Sequence, residues 1–457
     1  MLFFNIKINS KLSPWEKGVK LAEFFIQNKF LVILDGLEPL QHPPFSPNEG
    51  MLKDIGIKGF IWKLINEKDG ESFCIVTSRI SLKDFQNNQE IEELRLKGLN
   101  PKSGIRLLKY LGVNDDRKLL IKIINDCKGH GLLLVLIGNF LKMTNGGKIK
   151  EINKPDLIEN EEYVAHHLKK ILHSYVDWFG EGFELRLILS LGFFDRPIKE
   201  QILYSLINKL TNNISKSKFS FTIEKLRELG LIYYSKESKY IDMHPVIRQF
   251  FTKELKVKHN LMYLDGNKWL FDFFKQESVL IPHTLSELET IIESIIFASK
   301  SLLYDEAINL YYQKLIGEDE RLIVDKIGAY TSLLFCLSHF YEDGDWYKIF
   351  NDLSNQNKLF ILKETGKYLS VVEGYGSENA ANVFREARSL TNKETKKEYL
   401  LEILLGQCRY YRLKGKLNKS KEIADEISIL ESEKFSSTIF SDRGLASFHF
   451  YMGCFQE

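Results

Sequence analysis

Asp35 follows the apolar run Phe30-Leu31-Val32-Ile33-Leu34 and precedes Gly36. A carboxylate directly after such a run is how phosphate-transfer proteins hold a magnesium ion beside a nucleotide. Glu38, a little further on, is placed to orient an attacking water. Asp-Gly is also an ordinary turn dipeptide, so this run alone leaves both readings open. A second run, Phe73-Cys74-Ile75-Val76, ends in Thr77-Ser78-Arg79. An arginine there can reach a terminal phosphate, or it can form a surface ion pair. Further along, Asp242-Met243-His244-Pro245 sets a histidine before a proline. Its ring can donate to a phosphate, or it can cap the helix whose first turn Pro245 begins.

These residues need a scaffold. The two apolar runs are separated by a segment, Ile57 to Ile65, with apolar residues at helical spacing. Short apolar strands alternating with a helix predict a buried parallel sheet, with ligands at the carboxyl ends of its strands. Val19 to Gln27 reads as a helix, and Leu132 to Leu141 as a buried core helix. Leu185–Leu191, Ile198–Leu206 and Phe221–Leu229 read as three helices, followed by two strands at Gly230–Tyr234 and Tyr240–Met243. That is the pattern of a winged helix. A DNA reader needs a basic recognition helix, and Thr222 to Leu229 carries two basic and two acidic residues, which disfavours nucleic acid. Beyond about residue 262 strand-like alternation gives way to helical spacing. Gly344, Gly376, Gly415 and Gly453 recur at intervals near the roughly 34 residues of a tetratricopeptide repeat. Asp305 to Tyr311 resembles the second helix of an earlier repeat. A plain helical bundle is the alternative. Stacked repeats commonly bind peptide on their concave face.

The chain has 457 residues, with 63 Lys and Arg against 61 Asp and Glu, a net charge of +2. That balance gives no global pull toward nucleic acid or anionic membrane. Five cysteines (Cys74, Cys127, Cys336, Cys408, Cys454) are scattered without metal-ligand spacing, which argues against a zinc site or a disulfide framework and fits a reducing cytoplasm. The longest apolar run is about half of the roughly 20 residues that cross a bilayer. A cytoplasmic, multidomain protein is expected.

Taken in order, the segments FLVILDGLEPLQ (Phe30–Gln41), FCIVTSR (Phe73–Arg79), LRLKGL (Leu94–Leu99), GHGLLL (Gly129–Leu134) and DMHPVIR (Asp242–Arg248) resemble the signal-transduction ATPases with numerous domains, the STAND group that includes the NB-ARC and NACHT modules. The resemblance spans about residues 12–255. It implies an α/β partial P-loop NTPase sheet over residues 1–98, a helical module over 99–160, a winged helix over 161–260 and a mainly α tetratricopeptide-like array over 261–457. It also implies Asp35 as magnesium ligand and, with Glu38, as catalytic residue. Arg79, His130 and His244 would bind ATP or ADP, His244 facing the β-phosphate in a closed, inactive form. The intact architecture would be an ADP/ATP switch for signalling or defence, whose repeats sense a protein or peptide. A non-catalytic protein-binding scaffold and a winged-helix transcriptional regulator are the alternatives.

Two departures qualify this. The phosphate loop G-x-x-x-x-G-K-[ST], whose backbone N–H groups and lysine bind phosphates, occurs nowhere in the sequence. Hydrolysis by this chain alone is therefore not expected, and on the resemblance the chain begins inside the nucleotide-binding domain. The family's Gly-x-Pro is Gly129-His130-Gly131 here, which frees a backbone that proline would fix. In the family the phosphate-loop strand lies between the second strand and one expected at Glu92 to Leu96. Without it, the second strand is expected to pair directly with Glu92 to Leu96, or Phe3 to Ile8 to fill the gap; a domain left open and in need of a partner ranks below both.

Overall fold

The computed structural model describes residues 12–42, 48–67, 71–86, 88–149, 162–211, 213–279, 282–316 and 329–432. Among the described residues the chain is mostly helical with two small sheets. It divides into two compact units, one formed by residues 1–93, 277–299 and 304–457 and the other by 94–276 and 300–303.

The first unit opens with helix α1 (Pro14–Ile26), strand β1 (Leu31–Leu34), helix α2 (Ile55–Asn66) and strand β2 (Phe73–Val76). Ser13 and Glu16 cap α1 reciprocally: the Glu16 N–H donates to Ser13 Oγ and the Ser13 N–H to the Glu16 carboxylate, which satisfies two otherwise orphan donors. Asp54 caps α2 by accepting from the Ile57 N–H at 2.8 Å. The two helices lie unusually close because Gly18 and Gly59 offer no Cβ. A Cβ on Gly18 would sit 2.0 Å from the Gly56 carbonyl oxygen, and one on Gly59 2.8 Å from that of Trp15.

β1 and β2 pair in parallel, Leu31 opposite Phe73 and Ile33 opposite Ile75. Val32, Leu34 and Val76 pack on a core of Ala22, Phe25, Leu37, Leu52, Phe60, Ile61 and Phe85. The other face is bare: Leu31 and Ile33 are each 60% exposed and Phe73 66%. The apolar runs thus predict the pairing but overstate the burial, because both helices cover the same face. The strand expected at Glu92 to Leu96 does not form. Residues 91–100 have no regular structure, and Leu96 is almost wholly exposed. Direct pairing of β2 with that segment is therefore overturned, and Phe3 to Ile8 lies outside the described residues.

The second unit begins with α3 (Pro101–Tyr110), α4 (Arg117–Asp126) and α5 (Gly131–Asn145). The predicted core helix is α5, with Leu133, Leu134, Leu136 and Leu141 fully buried. It is followed by α6 (Glu162–Phe179), whose Tyr175 hydroxyl donates to the Leu136 carbonyl of α5. Next come α7 (Phe183–Leu191), β3 (Ile198–Lys199), α8 (Glu200–Thr211), α9 (Lys216–Glu228), β4 (Tyr233–Ser235), β5 (Tyr240–Asp242), α10 (Pro245–Lys258) and α11 (Asn260–Glu277). The three strands form an antiparallel sheet in the order β3-β5-β4. Two details differ from the sequence reading. Ile198 and Lys199 are strand, drawn into the sheet by β5. Helix α9 starts at Lys216, so it carries Lys216 and Lys218 besides Lys225 and Arg227.

The remaining helices are α12 (Leu285–Lys300), α13 (Tyr304–Tyr311), α14 (Tyr330–Ser338), α15 (Asn355–Val372), α16 (Glu378–Ser389), α17 (Lys397–Leu413) and α18 (Leu417–Ser432). The last four stack as successive helix pairs: α15 packs on α16 and α17, and α17 on α16 and α18. Gly376 and Gly415 sit in the turns within the pairs, Gly415 with φ +70°, the left-handed conformation that side chains resist. The second helix expected after Gly344 is absent. That stretch is a 3₁₀ turn and an extended segment, closed by an antiparallel bridge between Tyr341 and Ile349. Gly453 lies outside the described residues.

Candidate functional site

The ends of β1 and β2 bring together three of the residues singled out by the sequence. The Thr77 N–H donates to the Leu34 carbonyl, and the Leu37 N–H to the Thr77 carbonyl, so both strand ends are locked side by side. The Thr77 hydroxyl donates to Asp35 Oδ1 at 2.5 Å and accepts from the Gly36 N–H at 2.8 Å. That small ring fixes the Asp35 carboxylate at the carboxyl edge, where it is exposed to solvent. Gly36, with φ +71°, lets the chain turn away immediately.

Glu38 and Arg79 meet each other. Glu38 Oε1 accepts from the Arg79 N–H at 2.6 Å and lies 3.7 Å from Arg79 Nε. The Arg79 side chain is 70% exposed, so the ion pair contributes at most about 1 kcal/mol. Its geometric effect is larger: Glu38 is held beside the end of the second strand, and the guanidinium stays at the same edge.

A buried glutamine, which no local pattern singles out, supports this edge. Gln41 Nε2 donates to the carbonyls of Gly50 at 3.0 Å and Ile80 at 3.1 Å, while its Oε1 accepts from the Ser78 hydroxyl at 2.5 Å. It clamps the segment after β1 to the segment after β2. Thr77 was legible only as the last residue of an apolar run, and its bond to Asp35 is what makes that strand end a site.

His130 and His244 lie in the second unit and do the same local job. His130 caps α5, its Nδ1 accepting from the Leu133 N–H at 3.4 Å. Burial lowers its pKa, which favours the neutral ring that can accept. His244 caps α10, its Nδ1 accepting from the Val246 N–H at 3.3 Å, with Pro245 in the first turn. In both cases Nδ1 is the atom committed to the cap. Asp242, next to His244, accepts from Arg248, which also donates to the Phe194 carbonyl. His244 is thereby set at a cross-braced corner between β5, α10 and the loop after α7.

Among the described residues no group of His, Cys, Asp and Glu has metal-site geometry, and no helix is long and apolar enough to cross a membrane.

No protein-family profile matches the chain, and no curated protein matches it. Among solved structures it is similar to a STAND protein with a tetratricopeptide repeat sensor from Pyrococcus horikoshii, with 16% identity and a TM-score of 0.43. The likeness covers 88% of this chain and 56% of that one, so this chain spans little more than half of that protein's structure.

Proposed function

We propose that this chain is the regulatory and sensor portion of a STAND-type nucleotide switch, with its helical array as the sensor of a protein or peptide. The observation that carries the reading is the cluster at the strand ends. Asp35, Thr77, Glu38 and Arg79 converge at the carboxyl edge of adjacent parallel strands, the edge where open α/β sheets bind ligands. In this reading residues 1–98 are a partial P-loop NTPase domain, 99–160 a helical module, 161–260 a winged helix and 261–457 the array. Asp35 would hold magnesium, Arg79 would reach a phosphate, and His130 and His244 would approach ADP.

The winged-helix segment is assigned a structural role rather than DNA reading. Although α9 is more basic than its last two turns suggest, Lys225 is paired with Glu184 at 2.6 Å, and Arg227 and Lys236 share Glu224. Cations spent on internal carboxylates are not available to phosphates. The scaffold reading keeps a specific support: Glu38 and Arg79 neutralise each other, and the sequence holds no phosphate loop.

The test is to co-express the chain with a polypeptide that supplies a strand and the G-x-x-x-x-G-K-[ST] loop, then titrate ADP and follow magnesium-dependent hydrolysis. The switch reading predicts micromolar ADP binding weakened at least tenfold by His244→Ala, and hydrolysis lost in Asp35→Ala. A complex that forms but binds no nucleotide would leave the scaffold reading in its place.

A further inference from the structure

The array contains a pocket of about 430 Å³, open to solvent, at the junction of α16, α17 and α18. That volume falls in the range of about 300–1,000 Å³ typical of ligand sites. Its wall is cationic: Arg385 and Arg388 come from α16 and Lys419 from α18, against the single carboxylate of Glu422. Tyr411 and Gln407 of α17 line the same space.

The cations are not equivalent. Arg388 is already committed, donating to Gln407 Oε1 at 3.1 Å and to Glu426 at 2.5 Å. Gln407 is buried and donates in turn to the Phe384 carbonyl. Arg388 and Gln407 are thus tied to each other in the wall of the pocket. Arg385 and Lys419 stand exposed at the rim and make no ion pair among the described residues. Arg385 bonds only the side-chain oxygen of Asn382, and the Lys419 ammonium lies 5.7 Å from the Tyr411 ring centre. A pocket with a hydrogen-bonded Arg388–Gln407 wall, one tyrosine and two cations at its mouth that make no ion pair among the described residues is suited to an anionic oxygen group. A guanidinium fork takes such groups bidentately, and the ammonium adds a point charge.

We infer that this cavity is an acidic-peptide site, in which Arg385 and Lys419 take a ligand carboxylate and Tyr411 packs on the neighbouring peptide. The inference rests on the sensor reading above and assigns its ligand a chemistry. Asn379 and Asn382 continue the surface along α16, where both bond the Tyr347 hydroxyl. Both amides are engaged within the fold, Asn379 also donating to Glu373 and Asn382 accepting from Arg385, so this stretch of α16 is held in place beside the cavity.

The experiment is fluorescence anisotropy of the full chain with labelled hexaglutamate, with hexaglutamine as neutral control and inorganic phosphate as competitor. Hexaglutamate is expected to bind at least tenfold more tightly than hexaglutamine. The Arg385→Ala/Lys419→Ala variant should lose at least tenfold in hexaglutamate affinity while keeping its unfolding midpoint. Glu422→Gln, which removes the opposing carboxylate, should tighten hexaglutamate binding severalfold, an effect that general destabilisation would not produce. Unchanged affinity in the double variant, or equal binding of the two peptides, would overturn the site. So would complete displacement by phosphate at a concentration equal to that of the peptide, which would mark a bare anion site. Saturable hexaglutamine binding without acidic preference would overturn the site yet leave the sensor reading standing. A chain that binds neither peptide would count against both.

Discussion

The β1–β2 module and the α15–α18 stack solve the problem of burial in opposite ways. The two strands cover one face with α1 and α2 and leave Leu31, Ile33, Phe73 and Ile75 in the open. Helix α15 is buried over the whole stretch from Leu359 to Gly366, including Lys363 and Glu364. The strand module keeps Asp35 and Arg79 at an exposed edge, where water solvates them, and buries one carboxylate, Asp84, against Lys58 at 2.6 Å. The stack encloses charges and must satisfy them internally. Lys363 reaches both Glu364 and Glu402, the latter at 2.7 Å, and lies 4.6 Å from the Tyr399 ring centre. Helices satisfy their own backbone and can be surrounded on all sides. A pair of parallel strands has outer edges and a second face that its own helices do not reach, and such sheets are normally covered on both sides. Among the described residues the sheet leaves one apolar face exposed, and the stack encloses its own apolar faces.

The stack should be the more sensitive region. Lys363→Ala strands the Glu364 carboxylate in the interior and should cost about 3–5 kcal/mol, read from urea unfolding. Joint replacement by Lys363→Met and Glu364→Leu should restore most of that loss, since well-packed apolar residues commonly replace buried ion pairs without penalty. A cost below about 1 kcal/mol for Lys363→Ala would show that the interior is wetter than its packing implies. The same pair fixes a pH dependence. Burial pushes the Glu364 carboxyl up, but Lys363 and Lys367 outweigh it and hold its pKa below the ordinary 4.5. Burial pushes Lys363 down, but Glu364 and Glu402 outweigh it and raise its pKa. A carboxyl whose folded pKa is lowered stabilises the fold above its unfolded value and loses that contribution as pH falls through the folded value. The ammonium's contribution is complete below its unfolded value of 10.5 and is lost only as pH rises beyond it. Stability from this pair should therefore be flat between about pH 6 and 9 and decline below the ordinary carboxyl range. A midpoint that drops already between pH 7 and 6 would contradict that assignment.

Next in size is the notch for Phe384. A Cβ on Gly406 would lie 2.3 Å from that ring, and one on Gly366 2.6 Å. Gly406→Ala should overpack the junction of α15, α16 and α17 and cost about 1–3 kcal/mol, seen as a lower melting temperature. The smallest effect belongs to the open sheet face. Ile33→Ser should change stability by no more than about 0.5 kcal/mol, because Ile33 already faces solvent in the isolated chain. The same substitution should become costly when a partner covers that face, measured as weakened association in the co-expressed complex. A large loss in the isolated chain would mean that the face is covered after all.

Much of this was legible in the sequence, and the failures share a cause. The apolar runs ending at Leu34 and Val76 give the strands and their carboxyl ends, and Asp35, Glu38 and Arg79 follow from position alone. Glycines near repeat spacing give two of the helix-pair turns, at Gly376 and Gly415. Run composition, however, carries no information about which face of a strand is covered, so the bare side of the sheet was invisible. Leu94 and Leu96 have the spacing of a strand, yet a strand exists only where a neighbour pairs with it. Trp346 and Ile349 continue an apolar pattern, but the chain closes a bridge there instead of a helix. Lys363-Glu364 reads as a solvated pair in any local window, and its burial depends on α17, more than thirty residues away. Gln41 is similar: a lone glutamine becomes a clamp only when Gly50, Ser78 and Ile80 surround it.

We propose that the strand-end cluster is one part of a nucleotide site whose phosphate loop is absent from this sequence. Isothermal titration of magnesium-ATP into the purified full chain tests it most directly. Asp35, Arg79 and His244 supply side-chain contacts but no nest of backbone N–H groups. The account therefore predicts no saturable heat at micromolar nucleotide. Stoichiometric micromolar binding that Asp35→Ala or Arg79→Ala diminishes would show that the chain holds a complete site of its own, and would contradict it.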